Sequence, residues 1–252
     1  MKVDEAKSLT RWKCVCAYDG TGFEGWQSQV RGKAVQDVIE ARLAAVFKTP
    51  VRIHGSGRTD AGVHASGQVF HFDAEWRHAP ERMLAAFRTG LPPTLQIKSV
   101  RRAAPDFHSR FSATGKRYVY HLHLGEADPF SWPWTWSVLP SLNFTQMEAV
   151  AGVLRGRHDF RSFAANNGQE REDTVRELRR LAIVRRGRRV RITVESEGFL
   201  YKMVRSLVGA LVAAGEGRLS AERAKEILAS KQRTSAVFTA PPQGLFLDKV
   251  FY

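Results

Sequence analysis

Apolar side chains recur with two different periods in the first half of the chain, and these periods predict strands and helices in a definite order. Residues 12–18 alternate between apolar and polar positions, which is typical of a strand, whereas residues 35–47 repeat apolar side chains every three or four positions, which is typical of a helix. The same patterns predict further strands at 51–54, 68–73 and 95–101, and a helix at 80–87. The predicted order is strand, helix, strand, strand, helix, strand.

The second half of the chain repeats this order. The predicted strands are 116–124, 175–185, 190–197 and 245–252, and the predicted helices are 144–154, 199–214 and an additional one at 221–229. We therefore predict an α+β fold made of two ferredoxin-like βαββαβ halves, residues 1–106 and 107–252, with helices on one face of an antiparallel sheet. If the two sheets join edge to edge, the other face forms a long basic cleft. The alternative is two unrelated α+β domains with the same order by coincidence.

Charge narrows the class of partner. The chain has 252 residues, of which 39 are Lys or Arg and 25 are Asp or Glu, so its formal net charge is +14. Such an excess indicates a polyanionic partner, with nucleic acid as the leading candidate. The longest apolar run, 207–214, is too short to cross a bilayer, and the first ten residues lack the apolar core of a signal peptide. We expect a soluble, intracellular protein without a membrane partner.

The two cysteines, Cys14 and Cys16, occur two positions apart in a predicted strand. Side chains at this spacing point to the same face, so we expect both thiols in the core. A metal site would need more ligands nearby, and a disulfide framework would need more cysteines.

The stretch HGSGRTDAGVHA, His54 to Ala65, contains three glycines around one acid. It fails as a dinucleotide fingerprint because Asp60 occupies the sixth place counted from Gly55, where its charge would repel a pyrophosphate. It also lacks a Walker lysine, and a strand rather than a helix is predicted to follow. The glycines therefore indicate a loop that presents Asp60 beside Arg58 and lets a bulky ligand approach the backbone. The alternative is a turn acid that bonds to its own backbone.

The sequence resembles the tRNA pseudouridine synthases, and among them the synthase A family. The resemblance rests first on GSGRTDAGVHASGQVFHF at 55–72 and extends over most of the chain. Further similar motifs are YDGTGFEGWQSQ at 18–29, RFSATGKRYVYHL at 110–122, HDFRSFA at 158–164, GFLYKMVRSLVG at 198–209 and GLFLDKVFY at 244–252.

The resemblance implies a set of site residues. Asp60 corresponds to the catalytic aspartate and Arg58 to the arginine that pairs with it. Tyr118 corresponds to the tyrosine that stacks on the target uracil, and Arg205 to an arginine that also reaches the aspartate. The substrate-binding residues expected from the resemblance are Tyr118, Arg58, Gly57, Thr59, His64 and Gln68.

The resemblance also implies an activity. Members of the synthase A family convert uridine to pseudouridine at tRNA positions 38, 39 and 40 in the anticodon arm. They act as cytoplasmic homodimers, without metal, nucleotide or other cofactor. Lys202, Ser206, Arg88 and Ala34 depart from the family's usual residues, and these departures bear on RNA contacts rather than on the chemistry.

Other readings stay open for several residues. Arg205 borders an apolar helix stripe, where an arginine often only extends its charged end to solvent. The histidines are expected to be mostly structural. The arginine-rich RRGRR at 185–189 suits either phosphate contacts or a solvated hairpin tip, and Trp132, Trp134 and Trp136 suit core or subunit-interface packing better than base stacking.

Three function classes follow from these observations. The leading one is a uridine isomerase acting on tRNA. The second is an RNA-binding module without chemistry, and the third is a metal-free ribonuclease that uses histidines and Lys116. A nuclease shortens its RNA, a binder leaves it unchanged, and an isomerase changes a base while RNA length and mass stay the same.

Overall fold

A computed structural model describes residues 9–166, 168 and 172–252; the first eight residues, which include most of the segment considered for a signal peptide, lie outside the described residues. The chain divides into two compact units. One comprises the residues up to Ala113 together with Tyr252, and the other comprises Thr114–Phe251.

The first unit has the ferredoxin-like order. Its elements are β1 (Thr10–Tyr18), α1 (Val35–Phe47), β2 (His54–Gly55), β3 (His64–Ala74), α2 (Pro80–Arg88) and β4 (Leu95–Arg102). The strands lie in the order β4-β1-β3-β2, and every neighbouring pair is antiparallel. In this order each strand-helix-strand crossover joins two parallel strands on either side of a third, and such crossovers are right-handed in nearly all proteins, which places both helices on one face.

Aromatic and sulfur-containing side chains form the core of the first unit. Cys14 and Cys16 are fully buried free thiols on β1, as predicted. The ring of Phe47 at the end of α1 lies 6.0 Å from Phe72 of β3 and 6.4 Å from Phe87 of α2, so one aromatic cluster ties both helices to the sheet. Helix α1 ends where Lys48 adopts a left-handed backbone with φ of 58°.

The second unit repeats the order with additions. Its elements are β5 (Gly115–Leu124), β6 (Trp136–Val138), α3 (Phe144–Leu154), β7 (Gly156–Asp159), β8 (Val175–Arg186), β9 (Arg189–Ser196), α4 (Met203–Gly215), α5 (Ala221–Ser230) and β10 (Leu245–Phe251). The strand order is β10-β5-β9-β8-β7, all antiparallel, and β6 pairs in parallel with the end of β5.

Helix α4 is the buried centre of the second unit. Twelve of its residues are buried, which agrees with its nearly continuous apolar sequence. At Gly209 a β-carbon would lie 2.2 Å from the carbonyl oxygen of Phe238, so only glycine lets the chain at Phe238 cross the helix this closely.

The predicted α+β fold is confirmed, and most predicted elements are present. The main differences concern element ends and short strands. β2 covers His54–Gly55 instead of 51–54, β3 covers His64–Ala74 instead of 68–73, α4 begins at Met203 instead of residue 199, and the short strands β6 and β7 were not predicted. In the part of the chain that the structure describes, no helix is both long and apolar enough to cross a membrane.

Candidate active site

The glycine-rich loop around Asp60, called the acidic loop below, comprises residues 56–63 between β2 and β3 in the first unit, and a strand follows it as predicted. Its first part, residues 56–57, which we call the first limb, is hydrogen-bonded to β3. The backbone N–H of Ser56 donates to the carbonyl of Val69 at 2.8 Å, and the hydroxyl of Ser56 donates to Oε1 of Gln68 at 2.7 Å. Nε2 of Gln68 donates to the carbonyl of Gly57 at 2.9 Å. The loop is therefore anchored immediately before Arg58.

Its later part, residues 59–63, which we call the second limb, is in contact with the segment that follows β1. The N–H of Trp26 donates to the carbonyl of Thr59 at 3.1 Å, and the hydroxyls of Tyr18 and Thr59 share a hydrogen bond of 2.9 Å. Within the loop, the N–H of Val63 donates to the carbonyl of Asp60 at 3.1 Å, which closes a turn at the acid. Asp60 thus directly follows two anchored residues, Gly57 and Thr59, and its own carbonyl closes the turn.

Two glycines of the motif at 18–29 make this packing possible. A β-carbon on Gly20 would lie 2.1 Å from the carbonyl oxygen of Val63, and one on Gly25 would lie 2.5 Å from that of Thr59. Gly25 also has a φ of 87°, in the left-handed region that favours glycine. Gly20 and Gly25 of YDGTGFEGW are thus explained by close contact with the acidic loop, whereas a β-carbon on Gly22 would meet nothing within 4 Å.

The expected site residues of the first unit lie at different depths. Arg58 is exposed, and Asp60 and Gly57 are half-buried. Thr59 is buried, and His64 and Gln68 are fully buried beneath the loop. Nδ1 of His64 accepts the backbone N–H of Gly20 at 3.0 Å.

Tyr118 and Arg205 belong to the second unit. Tyr118 lies on the central strand β5, opposite Val194 of β9 and Leu247 of β10, and its side chain is 8% exposed. The ring of Phe199 meets the tyrosine ring edge to face, with centroids 5.2 Å apart. This contact fixes the plane of the Tyr118 ring.

Arg205 lies in the first turns of α4 and is half-buried. Its Nε donates to the carbonyl of Ala240 at 2.7 Å, and the N–H of Ala240 donates back to the carbonyl of Arg205 at 3.0 Å. The next residue, Pro241, accepts the hydroxyl of Tyr120 at 2.7 Å. Burial raises the pKa of Tyr120, and the nearby Arg205 opposes part of that rise, so this tyrosine stays neutral.

Three histidine rings lie together behind the acidic loop in the first unit. The ring of His71 lies 5.0 Å from that of His54 and 4.6 Å from that of His108. His71 is buried, and its Nδ1 accepts the backbone N–H of Ser109 at 3.2 Å. Burial, the neighbouring His108 and His54 and the charge of Arg11 together lower the pKa of His71 to about 4. The ring is neutral at physiological pH.

Metal chemistry has no candidate centre in the described part of the chain. Among residues 9–166, 168 and 172–252, no group of three or more His, Cys, Asp or Glu side chains is arranged to hold a metal ion. The histidine cluster makes ring contacts and hydrogen bonds instead.

The arginine-rich segment forms an exposed hairpin. Strands β8 and β9 meet at Gly187, whose φ is 60°, so RRGRR is a hairpin tip. Arg176 of β8 is half-buried, and the other arginines of these strands and their turn are exposed: Arg179, Arg180, Arg185, Arg186, Arg188, Arg189 and Arg191. This surface presents concentrated positive charge to solvent.

The tryptophan segment differs in part from its expected packing. Trp136 is half-buried and packs edge-on against Tyr120 at 6.3 Å and Phe238 at 5.9 Å. Trp132 and Trp134 are 57% and 42% exposed, so they do not fill the core, and the other half of the expectation, a subunit interface, stays a prediction. Pro133 holds this part of the chain in a short 3-10 turn, Trp132–Trp134, which projects both rings outward.

Sequence reasoning missed the residues that hold the site in place. Phe199 fixes the Tyr118 ring, Trp26 holds Thr59, and Ala240 holds Arg205. The motifs that contain Phe199 and Trp26 were noticed, but their contacts depend on tertiary packing. No sequence signal marked Ala240.

Comparison with known proteins identifies the class of enzyme to which this chain is similar. A family model described as tRNA pseudouridine synthase matches residues 15–112 and 150–252, which cover most of the first unit and the second unit from within α3 onward. The α+β architecture agrees with the pseudouridine synthase fold.

Curated relatives agree over nearly the whole chain. A protein of Protochlamydia amoebophila named tRNA pseudouridine synthase A 1 is 40% identical over 245 residues, covering 96% of each chain. The tRNA pseudouridine synthase A of Akkermansia muciniphila is 41% identical, covering 97% of this chain and 96% of the relative, and that of Geobacter sulfurreducens is 42% identical, covering 94% and 98%. The chain belongs to the tRNA pseudouridine synthase family, a family of isomerases. The predicted family and enzyme class are confirmed.

Proposed function

We propose that this enzyme isomerises uridine to pseudouridine at positions 38, 39 and 40 in the anticodon arm of tRNA, with Asp60 as the nucleophile. Membership of the tRNA pseudouridine synthase family over most of the chain carries this proposal. The loop supports it, because a half-buried aspartate that directly follows two anchored residues is presented in a fixed direction.

The reaction needs a group that holds one fragment while the other turns. The bond between C1′ of ribose and N1 of uracil breaks, the base rotates, a bond forms between C1′ and C5, C5 loses its proton, and N1 gains a proton. An ionised Asp60 takes part by adding to C6 of uracil or by attacking C1′, and it is released when the new glycosidic bond is complete. Both routes conserve every atom of the uridine.

The other three residues have distinct proposed roles. The guanidinium groups of Arg58 and Arg205 favour the charged carboxylate of Asp60 and direct it. Tyr118 supplies an aromatic face for the uracil, which must leave its stack before the glycosidic bond is reached. Its hydroxyl, or a water within its reach, accepts the C5 proton.

The remaining expected substrate-binding residues act at the loop. Gly57 lets the RNA approach the backbone because it has no side chain. Thr59 and His64 are buried and support the loop from beneath, Thr59 through its hydrogen bond with Tyr18 and His64 through its hydrogen bond with Gly20. The proposed enzyme uses no metal or cofactor, works in the cytoplasm and forms a homodimer, which sedimentation of the purified protein tests.

The decisive test is Asp60→Asn. The amide keeps the size and the turn but cannot attack carbon, so we expect pseudouridine formation to vanish while tRNA binding stays within about tenfold, or about 1.4 kcal/mol. Carbodiimide tagging followed by reverse transcription locates pseudouridine in tRNA under single-turnover conditions. The matched control is Asp106→Asn, an exposed acid of the same unit, which should turn over like the unchanged enzyme.

The same assay separates the competing functions. Pseudouridine at sites other than 38, 39 and 40 would refute the proposed specificity. Shortened RNA would indicate a nuclease, and unmodified RNA a binding module. Retained turnover in Asp60→Asn would remove the aspartate mechanism even if tRNA binding were strong.

A further inference from the structure

We infer that Gln68 is a positioning residue that sets the direction of Asp60 by fixing the carbonyl of Gly57, and that it does not contact the RNA. This inference rests on the proposed role of Asp60 as nucleophile. It changes the role expected for Gln68 from the sequence, which was substrate binding.

Burial is the first observation. The side chain of Gln68 is fully buried, although the loop that it supports carries an exposed Arg58 and a half-buried Asp60. A buried amide is stable only when its polar atoms are hydrogen-bonded, so its partners define its role.

Those partners all belong to the base of the acidic loop or to β3. Oε1 accepts the hydroxyl of Ser56 at 2.7 Å and the backbone N–H of Val69 at 3.1 Å, while Nε2 donates to the carbonyl of Gly57 at 2.9 Å. The two ends of one amide group therefore bind opposite kinds of partner. Neither a carboxylate nor a hydrocarbon of similar length reproduces this set at neutral pH.

The position in the sheet explains why a side chain is needed here. β2 pairs with β3 for only two residues, His54 and Gly55, opposite His71 and Phe70. At Ser56 the chain leaves the ladder to form the loop, with one further backbone bond to Val69. The amide of Gln68 continues the connection where backbone pairing ends, three residues before Asp60.

The geometry at the other limb makes this anchor important. The carbonyl of Thr59 is held by the N–H of Trp26, so only Arg58 lies between the anchored carbonyls of Gly57 and Thr59. If the Gly57 carbonyl loses its donor, the chain before Asp60 is held at Thr59 alone and can turn about that single contact. The carboxylate of Asp60 then changes direction, and small errors in the position of a reacting group cost up to about a hundredfold in rate.

Two substitutions of equal length test this inference. Gln68→Glu keeps the acceptors for Ser56 and Val69 but, when ionised, loses the donor to Gly57. A buried carboxyl has a raised pKa, and its protonated form regains an O–H donor. Gln68→Met has no donor at any pH.

We expect single-turnover pseudouridine formation to fall at least about tenfold in both variants at pH 8, with tRNA Kd within about threefold of the unchanged enzyme. Between pH 8 and pH 6, Gln68→Glu should recover to within about threefold of the unchanged enzyme, while Gln68→Met should stay slow. Rates are divided by the folded fraction, measured by circular dichroism in the same samples. If Gln68→Met does not fold, the pH dependence of Gln68→Glu decides alone.

Val69→Ala is the control, because it removes buried apolar atoms next to Gln68 without touching the amide. Its rate per folded molecule should match that of the unchanged enzyme. Equal pH profiles for the two Gln68 variants would overturn the positioning role, as would tRNA Kd values weakened as much as the rates. If the unchanged enzyme makes no pseudouridine, the proposed function fails instead, and the two failures are distinct.

Discussion

His71 shows how a single buried side chain sets the response of the first unit to acid. Its ring must stay neutral because it is buried next to His54 and His108 and near Arg11. The acid Asp73 only partly offsets these effects, since its own carboxylate is bound by Arg11 through hydrogen bonds of 2.8 and 2.7 Å. Protonation of His71 therefore places an uncompensated charge behind the acidic loop.

We expect the free energy of unfolding to fall as pH drops from about 6.5 to about 4. The pKa of His71 is lowered to about 4 in the folded protein, whereas an ordinary histidine has 6.5, so the unfolded chain binds more protons in this window. The stabilisation is complete above pH 6.5 and lost through the window, by at most about 3 kcal/mol. Thermal unfolding at a series of pH values measures it.

The variant His71→Asn should flatten this dependence, because its amide oxygen still accepts the N–H of Ser109 but does not titrate. His78→Asn, at an exposed histidine of the same unit, should keep the original profile. An unchanged acid transition in His71→Asn would show that other groups cause it.

At the scale of elements, the contact between the segment after β1 and the acidic loop depends on glycine. Gly25 and Gly32 both have a positive φ, 87° and 65°, so alanine strains the backbone at either position by about 1–2 kcal/mol. Only at Gly25 does a β-carbon also strike the carbonyl of Thr59; at Gly32 nothing lies within 4 Å. The pair therefore separates backbone strain from displacement of the loop.

We expect Gly25→Ala to lower the single-turnover rate at least about tenfold beyond Gly32→Ala, because Thr59 must move and Asp60 with it. The melting temperature of Gly25→Ala should also be lower. Rates per folded molecule and thermal unfolding of both variants provide the comparison. Equal rates would mean that the loop tolerates a shift at Thr59 and that its two limbs are not rigid.

Elements with a clear period could be predicted from the sequence, and those fixed by tertiary contacts could not. The alternation of Trp12, Cys14 and Cys16 was sufficient for β1. β7, with the sequence GRHD, has no apolar alternation, and it exists because it pairs with β8. Helix α4 starts late because Lys202 has a left-handed backbone, which local sequence does not reveal.

The candidate site divides in the same way. The placement of Asp60 in a loop followed by a strand could be predicted, because the side chains at 68–73 alternate with the period of a strand. The buried position of Gln68 and the ring contact of Phe199 depend on register and packing between distant segments. For the same reason the exposure of Trp132 could not be inferred from its apolar character.

For the whole molecule, the dominant property is positive charge. The formal net charge of +14 is accompanied by exposed arginines on the β8–β9 hairpin, and Arg180 has an ion-pair contact with Glu195 at 3.7 Å. Exposed ion pairs contribute little free energy in water, so most of this charge is available to phosphates.

We expect tRNA affinity to fall steeply with salt, because each phosphate contact releases bound counterions. Changing Arg186, Arg188 and Arg189 to Gln should reduce the slope of log affinity against log salt by about one for each arginine that contacts phosphate. Arg77→Gln is the control, since Arg77 is paired with Glu75 at 2.7 Å. Filter binding at several salt concentrations measures the slopes; an identical slope for the triple variant would exclude the hairpin tip from the RNA surface.

The two cysteines allow the opening rate of the sheet in the first unit to be measured. Cys14 and Cys16 are the only thiols in the sequence, both are fully inaccessible on the central strand β1, and burial raises the pKa of each. A thiol reagent therefore modifies them only after β1 separates from its neighbours. The labelling rate reports how often this sheet opens, without any engineered probe, and the slowing of labelling by tRNA would measure how strongly the bound RNA holds the sheet closed.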